Sequence, residues 1–177
     1  MARPRTIDRD HLLTAAEAVV TGQGAAALSF ASVAAEAGLS KASVQSAFGS
    51  RAALIDALIG RWMQHEADRF EAALEGAESP EARLSAHLRC TYDELHNGRG
   101  QRVATLLAIL ASEGQSSASV RRWYQERMGD LSAQSPEEKR RRTAFLAAEG
   151  AYFLRCIVGL EADPAIWAEI FAALDRP

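Results

Sequence analysis

At 177 residues, with 48% hydrophobic and 24% charged side chains and a net charge of −3, the chain has the balance of an ordinary soluble globular protein, either one domain or a small module joined to a larger one. This composition excludes a disordered polymer, and the longest apolar run, around Leu106–Ala111, falls far short of the roughly 18 residues that a membrane span needs. The N-terminal MARPRTIDRD is charged throughout and lacks a signal-peptide core, while Cys90 and Cys156 make neither a disulfide framework nor a zinc pattern, so a reducing, cytoplasmic setting is expected.

Every long patterned segment has a helical period and none has the alternation of a half-buried strand, which predicts an all-α fold of about nine helices. The first spans about Asp8 to Thr21, with Leu12, Ala15, Ala16, Val19 and Val20 on one face, and Gly22-Gln23-Gly24 ends it. Ser29 is placed to cap a short helix through Val33, Ala34 and Ala37, which Gly38 stops. Ser40 caps the next, to about Phe48, and Ser50 caps a long amphipathic helix carrying Leu54, Leu58, Trp62 and Phe70. Further starts lie at Ser79-Pro80-Glu81, at the capping box Ser135-Pro136-Glu137-Glu138 and at Asp163-Pro164. Helices are expected at about 80–96, 101–112 and 117–132 between them. The break at Gly49-Ser50 suggests a small N-terminal domain, residues 1–51, and a larger helical one, residues 52–177.

Helix, tight turn at Gly38, helix is the pattern of a helix-turn-helix, in which the second helix enters the major groove of DNA. If Val44 and Phe48 face the core with Val33 and Ala34, then Lys41, Ala42, Ser43, Gln45 and Ser46 face outward. Gln pairs bidentately with adenine, Ser bonds to several base edges, and Lys reaches guanine or phosphate. No acidic residue, which phosphate would repel, interrupts the stretch from Lys41 to Ser50. Up to residue 61 the chain holds six basic side chains (Arg3, Arg5, Arg9, Lys41, Arg51, Arg61) against five acidic ones, a mild positive bias.

From Ile7 to about Leu58 the chain resembles the N-terminal domain of the TetR family of bacterial transcriptional repressors. The resemblance is carried by Ala15-Ala16, Gly24, Leu28-Ser29, the run Val33-Ala34-Ala35-Glu36-Ala37-Gly38-Leu39-Ser40-Lys41, then Val44, Phe48 and Gly49-Ser50-Arg51 with Leu54. It implies a homodimer whose two recognition helices read a near-palindromic double-stranded operator, with Lys41, Ser43, Gln45 and Ser46 on the contact surface. Ser29 and Arg51 would hold the DNA backbone, and Arg3 with Arg5 would form a basic arm. Two positions depart from the family. Gln45 stands where a Tyr is common and Ala47 where a His or Tyr is common, and both aromatics typically touch phosphate. Losing them lowers affinity and flattens its dependence on salt.

In the larger half, Phe145, Tyr152, Cys156 and Leu160 repeat at helical spacing, as do Ile166, Ile170 and Leu174 beside Trp167 and Phe171, which marks the last two helices as a candidate dimer interface. The small residues Ala147, Gly150 and Ala151 would allow close approach there. Trp62, Met63, His65, Phe70, His87, Cys90, Tyr92, Leu106, Leu110, Trp123 and Met128 are candidate walls for the small-molecule effector pocket that the resemblance implies. His87, Cys90 and Glu94 share a helix face, yet such trios arise commonly and no metal or cofactor is expected. No Gly-rich phosphate loop, nucleophile elbow or paired His-Glu metal signature argues for an enzyme, so no catalytic residue is assigned. The resulting reading is a ligand-responsive repressor without a membrane partner. Its rival is a helical interaction module that keeps a relic helix-turn-helix.

Overall fold

The computed structural model describes residues 8–97, 99–128 and 132–176, and all regular structure in them is helical. The proposed arm residues Arg3 and Arg5 lie outside the described residues. Nine helices follow in order: α1 (Arg9–Gln23), α2 (Phe30–Ala37), α3 (Lys41–Phe48), α4 (Arg51–Leu74), α5 (Pro80–Asn97), α6 (Arg99–Ser112), α7 (Ala118–Met128), α8 (Pro136–Tyr152) and α9 (Pro164–Leu174). A short 3₁₀ turn, Ala25–Ala27, precedes α2, and a π-helical turn, Phe153–Val158, extends α8. The chain forms two compact units, one of residues up to Trp62 with Thr105–Val120, the other of Met63–Ala104 with Arg121 onward. Helices α4 and α6 each contribute residues to both.

The first unit is built from short helices that local chemistry starts and stops. The Asp8 carboxylate accepts from the amides of Asp10 (3.0 Å) and His11 (3.3 Å), which satisfies two donors that α1 leaves unpaired. Ser29 and Ser32 cap α2 reciprocally, each hydroxyl accepting from the other's backbone amide, at 3.1 and 3.0 Å. Gly38 closes α2 in the left-handed region (φ 65°), where a Cβ would be strained, and the Leu39 amide folds back onto the Ala34 carbonyl at 3.0 Å. Leu12, Val19, Val20, Leu28, Val33, Val44, Leu54 and Leu58 then form the core, almost wholly excluded from water. Each such side chain contributes roughly 1.5–3 kcal/mol relative to exposure.

In the second unit α5 packs against α8 and α9. Its core holds Leu84, Leu88, Leu95, Phe145, Ala148, Trp167 and Phe171. The box at Ser135 forms as its sequence dictates: Ser135 Oγ accepts from the Glu138 amide (3.1 Å) and the Glu138 carboxylate accepts from the Ser135 amide (2.9 Å). Gly100 on α6 lies beneath Tyr152 and Cys156, and a Cβ there would sit 2.8 Å from the Cys156 Sγ and from the Tyr152 ring. No described helix is long and apolar enough to cross a membrane.

Candidate functional site

On α3 the Val44 and Phe48 side chains are buried and Lys41, Ala42, Gln45 and Ser46 are exposed, with Ser43 half-buried. The split follows from helical period alone, since positions 44 and 48 are one turn apart on the core face. Ser40 Oγ accepts from the Ser43 amide at 3.1 Å and fixes the helix start, while the two hydroxyls lie 2.9 Å apart. Ser43 is therefore tied to its cap, and the freely projecting polar groups of α3 are Lys41, Gln45 and Ser46. The Arg9 guanidinium lies over the Phe48 ring, 4.8 Å from its centroid, and brings a further cation beside the C-terminal end of α3.

Ser29 is half-buried and held in its reciprocal cap with Ser32. Arg51 points inward along the unit: its Nε donates to the Leu28 carbonyl at 2.9 Å and its Nη1 pairs with the Glu113 carboxylate. The guanidinium braces the start of α4 against the turn before α2 and against the loop after α6. The resemblance places this charge on the DNA backbone, and its carboxylate partner, 62 positions away, left no signal in the local sequence. Two further long-range ties in the same unit were equally invisible: Trp62 Nε1 donates to Glu17 (3.1 Å), and Ser117 Oγ donates to Asp56 (2.6 Å).

The second unit contains a cavity of about 530 Å³ whose walls come from α4 (Phe70), α5 (Pro80, Arg83, Leu84, His87), α7 (Glu126, Arg127, Met128), residues 132–134 and α8 (Glu138, Arg141, Arg142, Phe145). Of the sequence-derived candidates, Phe70, His87 and Met128 lie on these walls. Trp62, Leu106 and Leu110 are instead core residues of the first unit, because their helix faces turn inward there. Cys90 packs in a small cluster with Phe70, Leu74 and Ala86, His65 is exposed, and Trp123 is half-buried beside Arg127 and His87. Residue type marks aromatic and sulfur side chains as pocket walls, whereas arginines have the type of solvated surface. The basic run Arg140-Arg141-Arg142 signals two of the wall arginines, whereas Arg83 and Arg127 stand alone in the sequence.

A buried polar network borders the cavity. The His87 ring stacks on Phe145 (centroids 4.1 Å apart), and its Nε2 lies 3.2 Å from a Glu149 carboxylate oxygen. The other Glu149 oxygen accepts from the Tyr124 hydroxyl, and burial, followed by that carboxylate, pushes the phenol well above its ordinary value. Arg127 is the outlier. Burial pulls its guanidinium down to about 10, its Cζ lies over Phe70 (3.4 Å to the centroid), and its buried Nη1 has no acceptor among the described residues. Leaving a donor so buried and unpaired costs roughly 1–3 kcal/mol. Burial also raises both thiols, Cys90 and Cys156, which makes them poor nucleophiles. Among the described residues no three His, Cys, Asp or Glu side chains converge as a metal site, and Glu94, the third of the shared-face trio, is bound to Arg69.

The residues expected at a dimer interface divide. Phe145 (6% exposed) and Trp167 (4%) are core residues, and Tyr152 and Cys156 pack over Gly100, so that stripe faces the inside of its own unit. Ile166 and Ile170 are exposed. They and Leu160, also expected at the interface, belong to a second apolar stripe with Leu146, Phe153, Leu154, Ile157 and Val158, each 37–60% exposed, and it is these last five that helical spacing did not single out. A helix apolar on two faces has one side for its core and another for something else. Ala147 and Gly150 lie on the exposed side and Ala151 on the buried one.

Two family models match the chain: "Bacterial regulatory proteins, tetR family" over residues 12–58 and "Tetracyclin repressor-like, C-terminal domain" over residues 81–176. Comparison with curated proteins gives no match. Solved structures share the fold over nearly the full length. A putative transcriptional regulator from Streptomyces coelicolor A3(2) is 20% identical, with 96% of this chain and 98% of that one covered and a TM-score of 0.67. The multidrug binding protein EbrR in complex with imidazole is 22% identical (94% and 88% covered, TM-score 0.69). A TetR-family member from Streptomyces coelicolor A3 is 24% identical (94% and 96% covered, TM-score 0.68). The helix-turn-helix and the larger helical unit are thus matched independently, and the chain belongs to the TetR family of bacterial regulatory proteins, transcriptional regulators that bind DNA through a helix-turn-helix.

Proposed function

We propose that this protein is a ligand-responsive repressor that binds a near-palindromic operator as a homodimer and is released by a small-molecule effector. The observation that carries the reading is the exposed face of α3, where Lys41, Gln45 and Ser46 project from a helix whose other face is locked into the core by Val44 and Phe48. No acidic side chain opposes phosphate between Lys41 and Ser50. In this reading residues 1–51 supply the DNA-reading domain, and residues 52–177 take the effector and the second protomer. Ser29, half-buried at its cap, and the α2 amides beside it contact the backbone, whereas Arg51 acts through the placement of α4.

The exposed apolar stripe of α8 and α9 supports dimerisation, since contiguous apolar patches rarely face water on a monomer. The cavity of the second unit supports an effector, and the fold is shared with a multidrug binding protein solved with imidazole and with malachite green. Release requires that the effector bind one arrangement of the dimer better than another. Helix α4 is the coupling element: Phe70 is on the cavity wall, and Leu54 and Leu58 are in the core of the first unit. Fluorescence anisotropy with DNA from upstream of its own gene and the flanking genes, at about 50 and 200 mM salt, tests the reading. Binding to one of these fragments that weakens as salt rises is expected. Absence of salt-sensitive binding to every fragment would instead favour the interaction module with a relic helix-turn-helix.

A further inference from the structure

We propose that the cavity of the second unit takes a small molecule made of an apolar, ring-sized body and one oxyanion group, with the oxyanion received by Arg127. The inference rests on the reading of that cavity as an effector site and adds the chemical class of the effector.

The walls separate into two kinds of surface. Phe70, Leu84, Met128 and Phe145 offer an apolar lining suited to a flat or branched hydrocarbon body. Four arginines and two glutamates supply the charge. Arg141 is paired with Glu81, and Glu138 is held in the cap of α8, accepting from the amides of Gln134 and Ser135. Glu126 is exposed. Arg83 and Arg127 form no ion pair among the described residues, and each lies over the Phe70 ring, at 5.2 and 3.4 Å from its centroid.

Arg127 is the more telling of the two. Its Nη2 donates to the Glu66 carbonyl at 3.3 Å, and its Nη1 is buried without an acceptor. The guanidinium carbon lies over the Phe70 and Trp123 rings, 3.4 and 5.1 Å from their centroids, and these cation–π contacts supply no hydrogen-bond acceptor for its donors. The edge of the fork therefore lacks the acceptor that its geometry fits, a planar oxyanion. A cationic ligand would enter between unneutralised guanidinium groups, and a neutral one would leave the open donor as it is. The competing account is that Arg127 serves only as packing, its plane filling space between two rings. An Arg127→Met variant keeps the length and apolar stem of the side chain and removes the fork, so it separates the two accounts.

Isothermal titration of the full chain with 2-naphthoate, 2-naphthamide and 2-naphthylmethylammonium is the test, because the three share one body and differ in charge. The acid is expected to bind about tenfold or more tighter than the amide, and the cation not at all. In Arg127→Met the preference for acid over amide should disappear while amide affinity changes little, and Arg127→Lys should restore part of it. Equal or better binding of the amide or the cation by the parent protein would overturn the proposal, as would no binding of the acid at millimolar concentration. A preference unchanged in Arg127→Met would do the same. The comparison within the parent protein stands even if a variant fails to fold. DNA binding measured separately, without ligand, keeps the two readings apart: salt-sensitive DNA binding without acid preference removes this inference alone, and acid preference without DNA binding removes the regulator reading alone.

Discussion

On α3 the Gln45 amide projects from the exposed face between the cation of Lys41 and the hydroxyl of Ser46. It stands where relatives commonly grip phosphate with an aromatic, and in the proposed reading an amide there would trade a contact that carries no sequence information for one suited to adenine. A bidentate amide–adenine pair discriminates by about 1–3 kcal/mol. Gln45→Ala should therefore lower the ratio of operator to scrambled-DNA affinity by roughly tenfold, measured by anisotropy with competitor; an unchanged ratio would remove Gln45 from the reading surface. Arg127 makes a different prediction at this scale. Among the described residues Arg127 forms no ion pair and its Nη1 is buried without an acceptor, so replacing it removes an unmet desolvation cost along with its contact with Phe70. In calorimetry Arg127→Met should melt no lower than the parent, whereas loss of a packing residue of this size would depress the transition.

Among elements, α3 is eight residues long and too short to hold itself together, so its ends matter more than its interior. Ser40→Ala should lower unfolding free energy by about 1 kcal/mol in urea titration and weaken binding to operator and scrambled DNA alike. These caps were legible in the sequence because each joins residues two or three positions apart, as at Ser29, Ser40, Ser135 and Asp163. What joins distant elements was not. The ties of Arg51 to Glu113, Trp62 to Glu17 and Asp56 to Ser117 span 45 to 62 positions, and nothing in the local pattern at Arg51 distinguishes a cation facing DNA from one facing Glu113. That pair is partly solvated, so Glu113→Gln should cost less than about 1 kcal/mol. Its value lies in fixing the start of α4, and a fall in DNA affinity larger than the fall in stability is the expected signature.

For the whole molecule, the all-helical class and the helix-turn-helix were legible from periodicity, while the choice between two apolar faces of α8 was not. Phe145, Tyr152 and Cys156 form a regular stripe, and so do Leu146, Phe153 and Ile157; period locates both and says nothing of which one meets its own core. The cavity was half visible for a similar reason: Phe70, His87 and Met128 stood out by type, and the arginines looked like solvated surface. If the outward stripe meets a second copy, charge placed on it will keep the protomer folded and unpaired. Ile157→Glu combined with Val158→Glu should leave the far-ultraviolet circular dichroism unchanged, halve the mass seen by sedimentation, and lower operator affinity far more than non-specific affinity.

The same outward stripe has a consequence for how stability depends on abundance. A protomer with eight large apolar side chains facing water gains when it finds a partner, and that gain obeys mass action. The melting temperature should climb with total protein concentration, and dilution should expose the stripe before it unfolds the core. In a cell holding few copies, the number of chains would then set both how long each one survives proteolysis and how many are competent to reach an operator.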